Sequence, residues 1–125
     1  MRHLAMHVRA FEEMKQFYVA LLGFRVEWEP DPNNVYLTSG TDNLAFHRVP
    51  DTGDYEKRIE STLDHLGLVV RTPEEVDRWA SYLEGHGVVL VKQPRAHRDG
   101  ARSFYFRDPD GNQIQIIYHP PISGG

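Results

Sequence analysis

An internal repeat is the feature that most constrains the fold of this chain. The segment HLAMHVR at residues 3–9 matches HLGLVVR at residues 65–71, with histidine, leucine, valine and arginine recurring at an offset of 62 residues. Three apolar positions recur at the same offset: Met14, Phe17 and Leu21 against Val76, Trp79 and Leu83. The pattern predicts two diverged copies of one supersecondary unit.

The first copy is expected to have the element order βαβββ. Apolar residues at helical spacing predict one helix face, and Gly23 suits the left-handed position that ends a helix. Alternation and turn signals predict four strands: Leu4–Arg9, Phe24–Trp28, Val35–Thr38 and Leu44–Val49. The helix face is expected to comprise Met14, Phe17, Tyr18, Leu21 and Leu22.

The second copy repeats this order. Thr72-Pro73-Glu74-Glu75 predicts a capped helix start, in which threonine caps and Glu75 completes a capping box. The sequence Asp108-Pro109-Asp110-Gly111 predicts a tight turn, which accounts for both aspartates. The predicted strands are Leu66–Arg71, Val88–Val91, Ser103–Arg107 and Gln113–Tyr118. Residues 120–125 are expected to fray.

Composition excludes several classes of function. The chain has no cysteine, which excludes thiolate metal sites and cysteine nucleophiles, and its net charge of −4 argues against nucleic acid as a partner. No apolar run is long enough to cross a membrane, and no signal peptide is evident, so a cytoplasmic location is expected. The mixed-charge segment 50–63 is predicted to link module 1–49 to module 64–119.

The tandem repeat, the histidine that opens each half and the motif RSFYFRDPDGN at residues 102–112 resemble the vicinal oxygen chelate superfamily. That group includes glyoxalase I, methylmalonyl-CoA epimerase, fosfomycin-resistance proteins, extradiol dioxygenases and bleomycin-binding proteins. The resemblance implies an α+β, glyoxalase-like fold, in which two βαβββ modules form half-barrel sheets around a cavity.

The resemblance also implies where a metal would bind. At the metal positions of the family, this chain has His3, Ala45, His65 and Gln115. The family pattern has mostly glutamate on the last strand of each module, so alanine and glutamine depart from it. We therefore expect His3, His65 and Gln115 to hold a divalent ion, and imidazole ligands are compatible with Zn, Ni, Fe, Mn or Co.

Strand alternation supplies the candidates for proton transfer. His3, Ala5 and His7 share a face, as do Ala45 and His47. Because neither Ala45 nor Gln115 can remove a proton, His47 or His7 would have to act as the general base, and His47 could instead be a third nitrogen ligand. Tyr105 is expected to point away from the core, where its hydroxyl could orient or protonate a substrate oxygen.

Two functions follow from these residues. One is a metal-dependent lyase, isomerase or dioxygenase that acts on a small oxygenated metabolite by chelating neighbouring oxygens. The absent glutamate disfavours a dioxygenase and a fosfomycin-type transferase. The other is a metal-free binding protein of the bleomycin-resistance type, with an aromatic groove drawn from Trp28, Tyr36, Phe104, Tyr105 and Tyr118.

Two further predictions concern contacts. The loop 97–100 is a possible substrate contact, and exposed sheet edges favour a homodimer.

Overall fold

The computed structural model describes residues 1–49 and 63–124, which fall into two compact units, Met1–Ser61 and Thr62–Gly125. Most of the predicted linker, residues 50–62, lies outside the described residues. Each unit contains a four-stranded mixed sheet and one principal helical segment. The predicted α+β class is therefore confirmed.

The first unit has the predicted order βαβββ. Its strands are β1 (His3–Val8), β2 (Arg25–Asp31), β3 (Asn34–Thr38) and β4 (Asn43–Arg48), and its helix is α1 (Phe11–Gln16). The spatial order is β1-β4-β3-β2, in which β1 runs parallel to β4 and the other neighbours are antiparallel.

Helix α1 continues into a π-helical turn at Phe17–Leu21, which the sequence analysis did not predict. The Leu22 N–H donates to the Phe17 carbonyl at 3.1 Å, so this turn contains one more residue than an α-helical turn. Tyr18 and Leu22 are buried, whereas Phe17 and Leu21 are only half-buried. Gly23 follows with φ of +85°, as the predicted left-handed end of the helix.

The second unit repeats the arrangement in the order β5-β8-β7-β6. Its elements are β5 (Leu66–Val70), α2 (Pro73–Gly85), β6 (Leu90–Ala96), β7 (Arg102–Arg107), β8 (Gln113–Tyr118) and α3 (Pro120–Ser123). The Thr72 hydroxyl accepts a hydrogen bond from the Glu75 N–H at 3.2 Å, which confirms the predicted N-cap of α2.

The predicted bounds were wrong mainly at edge strands and at the C-terminal end. Strands β2 and β6 run past their predicted ends at Trp28 and Val91 and continue through Pro30 and Pro94. Both are edge strands, where a residue without an N–H is tolerated because one side of the strand has no partner in the sheet. Residues Pro120–Ser123 form a short helix instead of fraying, and the His119 N–H donates to the Ser123 hydroxyl.

Each unit has its own apolar core between its helix and its sheet. Phe104 and Phe106 are fully buried, as expected from their alternation with Tyr105. Other fully buried side chains are Val8, Met14, Tyr18, Phe46, Val76, Leu83 and Ile114. Within the described residues, no helix is long and apolar enough to cross a membrane.

Asp42 organises the turn between β3 and β4. Its carboxylate accepts hydrogen bonds from the Ser39 N–H at 2.7 Å, from the Ser39 hydroxyl and from the Thr38 hydroxyl. Partial burial raises the pKa of this carboxyl, but the hydrogen bonds from Ser39 and Thr38 outweigh burial and hold the pKa below its usual value. The charged form of Asp42 therefore stabilises the folded state.

We predict that Asp42→Ala lowers the free energy of unfolding by about 1–2 kcal/mol at pH 7. Since the pKa of Asp42 is depressed in the folded state, this stabilisation is present above the unfolded-state pKa and is lost as pH falls below about 4. Urea denaturation between pH 3 and pH 7 measures the difference, with Glu84→Ala, an exposed helix position, as the control. A penalty for Asp42→Ala that grows towards pH 3 would contradict this prediction.

Candidate functional site

The parallel pairing of β1 with β4 places the first group of candidate residues on one face of the first sheet. His3, Ala5 and His7 lie directly opposite Asn43, Ala45 and His47 in register. The rings of His7 and His47 lie 6.3 Å apart. The prediction that these β1 residues share a face with one another is therefore confirmed within this unit.

The second sheet brings together the remaining candidates. Gly67 pairs with Gln115 across β5 and β8, and Gln115 pairs with Tyr105 across β8 and β7. The His65 and Tyr105 rings meet edge to face with their centroids 5.5 Å apart. A Cβ atom built on Gly67 would lie 3.8 Å from the Gln115 Oε1, so the glutamine amide occupies the space above this glycine.

The hydrogen bonds of three candidate histidines follow one pattern. The Nδ1 atoms of His3, His47 and His65 bond to the Asn43 Oδ1 at 2.8 Å, the Asn34 Oδ1 at 2.6 Å and the Asp64 Oδ2 at 2.7 Å. Each acceptor is a side-chain oxygen, so Nδ1 carries the proton in the neutral ring. The Nε2 lone pair of each histidine is thereby left available.

Each of the three histidines is linked to a carboxylate, either directly or through an asparagine side chain. Asp64 contacts His65 directly. In the first unit the Asn43 amide donates to Glu27 at 3.4 Å and the Asn34 amide donates to Asp31 at 2.9 Å, which leaves the two amide oxygens for the histidines. Ligating histidines in proteins commonly donate their second N–H to such a partner, which fixes the tautomer and the ring orientation.

Sequence reasoning missed these supporting residues. The signal for Asn43 and Asn34 is their position opposite His3 and His47 in the strand register, which becomes apparent only once the sheet is assembled. Asp64 immediately precedes His65 in the sequence and could have been noticed. Lys92, which pairs with Tyr105 and places its Nζ 5.8 Å from the ring centroid, was also missed.

The register shows that Ala45 and Gln115 occupy equivalent places in the two units. Each pairs with the small residue two positions after the first histidine, Ala5 in one unit and Gly67 in the other. Ala45 is fully buried and offers no donor atom, whereas Gln115 is half-buried and presents its amide. The two units are therefore not equivalent as sites.

Other candidates have structural explanations. The Asp108 carboxylate accepts hydrogen bonds from the Asp110 and Asn112 backbone N–H groups, and Gly111 adopts φ of +87°, which confirms the predicted turn. In the loop 97–100, the His97 Nε2 bonds to the Ser103 hydroxyl at 2.8 Å, which ties this loop to β7. Phe104 is fully buried and cannot line an aromatic groove.

The donor set fits a divalent ion only in part. Within residues 1–49 and 63–124, no three His, Asp or Glu side chains converge as a metal centre would require. Imidazole nitrogens with a fixed tautomer and an amide oxygen are nevertheless suitable ligands for borderline divalent metals. His3 belongs to one unit while His65 and Gln115 belong to the other, so their convergence stays a prediction.

Comparison with known proteins establishes the family. Residues 1–116 match the model of the Glyoxalase/Bleomycin resistance protein/Dioxygenase superfamily. The chain belongs to this superfamily. The predicted resemblance is thus confirmed over nearly the whole length of the chain.

One curated relative supports the same assignment, and solved structures share the fold. The chain is 30% identical over 118 residues to the glutathione transferase FosA of Serratia marcescens, with 93% of this chain and 78% of that protein covered. The lactoylglutathione lyase of Agrobacterium tumefaciens has a similar structure, with a TM-score of 0.76, 18% identity, and coverage of 94% and 92% of the two chains. Hypothetical protein SA1046 of S. aureus gives a TM-score of 0.71 at 25% identity, with 94% and 91% covered.

We predict that the neutral imidazoles of His3, His47 and His65 carry their proton on Nδ1. Long-range ¹H–¹⁵N correlation spectra at pH 8.5 distinguish the two tautomers. Asp64→Ala should release His65 into a mixture of tautomers, because its acceptor is lost, while His3 and His47 serve as unchanged internal controls. A His65 spectrum that is insensitive to this substitution would show that Asp64 does not set the tautomer.

Proposed function

We propose that this chain is a divalent-metal-dependent enzyme that acts on a small, oxygenated, anionic metabolite, with His65, Gln115 and His3 as the metal ligands. The observation that carries the proposal is the shared hydrogen-bond pattern of the histidines. His65 and His3 both have Nδ1 engaged by a side-chain oxygen and Nε2 left as the ligating atom. Ligating histidines commonly have their second ring nitrogen held by a hydrogen-bond partner in this way.

The proposed ligand set favours an anionic substrate. Two imidazoles and one amide oxygen are neutral, so they leave the charge of a divalent ion uncompensated. Lys92, beside Tyr105, adds a positive charge to the same part of the second unit. A metal bound there would supply Lewis acidity towards neighbouring substrate oxygens.

The remaining candidates would handle protons. Tyr105 is half-buried and contacts the His65 ring, so its phenol lies close to a proposed ligand and can donate a hydrogen bond to a substrate oxygen. His47, with its Nε2 lone pair available, is the better candidate for the general base, and His7 lies beside it. Both histidines belong to the first unit, and their access to the same substrate is part of the proposal.

The reaction type is proposed only at the level of the superfamily: a lyase, an isomerase or a dioxygenase, with transferase chemistry kept open by the similarity to FosA. The sequence analysis disfavoured a fosfomycin-type transferase because Gln115 replaces a glutamate. The replacement of glutamate by glutamine affects how strongly the proposed site binds metal, and it leaves the reaction type open. The homodimer and the cytoplasmic location predicted from the sequence belong to the same proposal.

A metal-free binding protein is the second candidate. Trp28 is 59% exposed and stacks on Tyr36 with ring centroids 5.1 Å apart. An exposed stacked pair is a suitable surface for a flat aromatic ligand. The buried Ala45, which removes one possible ligand position, also favours this alternative. Metal analysis of the purified protein before and after chelation distinguishes the two candidates.

We predict that His65→Ala abolishes metal retention through desalting, because it removes one of the two proposed imidazole ligands. Asp110→Ala is the matched control, since this residue lies in the β7–β8 turn and should affect only the stability of that turn. Metal content is measured by elemental analysis after loading with Zn, Ni or Fe(II). Equal losses of metal in both variants would show that the site has been misplaced.

We predict that Gln115→Glu tightens metal binding by about 1–3 kcal/mol, or roughly tenfold to a hundredfold. The substitution preserves side-chain length and adds a negative charge beside the ion, and desolvation of the carboxylate cancels part of the Coulomb gain. Activity is expected to fall, because the added charge weakens the Lewis acid and repels an anionic substrate.

Calorimetric titration of zinc, nickel and iron(II) into the metal-free proteins measures the change. Gln113→Glu, two residues earlier on the same strand, is the control for a nonspecific charge effect. Unchanged affinity of Gln115→Glu for all three metals would show that Gln115 does not face the ion, and would favour the metal-free binding protein.

A further inference from the structure

His7 and His47 form a histidine pair across two parallel strands of the first sheet. They are directly opposite in the register of β1 and β4, and their ring centroids lie 6.3 Å apart with the planes inclined by 61°. His7 is exposed and His47 is half-buried, so both rings are accessible from solvent. The pair therefore presents two imidazoles to the same small volume.

The two rings lie at the outer limit of separation for one shared ion, which a linear arrangement of the two nitrogens would reach. An imidazole nitrogen binds a metal at about 2.0–2.1 Å, which puts two rings on a common ion at centroid separations up to about 6.5 Å. The observed 6.3 Å falls within this limit. Modest rotation of the exposed His7 side chain would shorten the separation to suit a bent arrangement.

The position of His47 is fixed by residues of the β2–β3 turn. Its Nδ1–H donates to the Asn34 Oδ1 at 2.6 Å, and the Asn34 amide donates to the two Asp31 oxygens at 2.9 and 3.0 Å. The hydrogen bond from the Asn33 backbone and that from the Asn34 side chain lower the pKa of Asp31, so its carboxylate remains charged. The Tyr36 ring packs against the edge of His47 with centroids 5.9 Å apart.

The pair is separate from the His3 position. His3 and His7 are four residues apart on β1, which is about 13 Å along an extended strand. An ion bound by His3 cannot also be bound by His7. The residue between them on this face is Ala5, opposite Ala45, so no long side chain on these two strands covers the histidine pair.

We propose that His7 and His47 form a second metal site that binds Cu(II) most tightly, followed by Ni(II) and Zn(II). While this site holds an ion, the ligating lone pair of His47 is occupied and His47 does not act as the general base of the proposed function. This order follows from the general preference of nitrogen ligands for Cu(II). Only two side chains of the first unit contribute, which leaves coordination positions for water or for the oxygen and nitrogen atoms of a small molecule. Asn34 is a positioning residue that holds His47 with its Nε2 available.

The test uses the full chain with His3→Ala and His65→Ala as the background, so that the outcome does not depend on the site in the proposed function. Calorimetry with Cu(II) alone is expected to show one ion bound per chain in this background. Electron paramagnetic resonance should show coupling to two imidazole nitrogens. Adding His7→Ala should weaken Cu(II) binding at least a hundredfold and leave coupling to one imidazole.

Two further variants separate ligation from general damage to the fold. Asn34→Ala should weaken Cu(II) binding about tenfold, as is usual when the partner of a ligating histidine is lost. His86→Ala, at the end of α2, should leave binding unchanged, and circular dichroism verifies the fold of every variant. Loss of Cu(II) binding in the background itself, or binding that His7→Ala does not weaken, would overturn the proposal.

Discussion

Each unit depends on the parallel pairing between its first strand and its last strand. Parallel strands cannot be joined by a tight turn, so the helix and two further strands must lie between them in the sequence. The pairing brings residues about 40 positions apart into direct register, as with His3 and Asn43 or His7 and His47. In the second unit it places Gln115 over Gly67. All candidate chemistry in this protein lies on or beside these two strand pairs.

The register also explains why the histidines are oriented alike. In the first unit, Asn43 lies opposite His3, while Asn34 lies opposite His47 across the antiparallel β3–β4 pair. Each asparagine is oriented by a carboxylate that can only accept hydrogen bonds, so its oxygen is directed towards the histidine. The backbone ladder, the amide and the carboxylate together select one imidazole tautomer. In the second unit Asp64 achieves the same result through a contact between chain neighbours.

Divergence of the two copies has made their sites different. The first unit has no donor atom at Ala45, but it carries the His7–His47 pair. The position related to His7 by the repeat is Val69 in the second unit. The second unit keeps a donor atom at Gln115 and adds Tyr105 and Lys92 beside it. A repeated fold therefore supplies two similar frameworks, and the few side chains on the exposed faces decide which chemistry each can support.

The sequence by itself determined the features that depend on local periodicity and on hydrogen bonds between near neighbours. These are the repeat, the βαβββ order, the helix cap at Thr72, the Asp108 turn and the shared face of His3 and His7. It did not determine the extent of the strands through Pro30 and Pro94, since proline is tolerated at a sheet edge or a bulge, and both prolines lie on edge strands within a register shift. The partners of His3 and His47 were likewise decided by tertiary structure. Asn43 is 40 residues from His3, and strand register alone brings the two side chains within hydrogen-bonding distance.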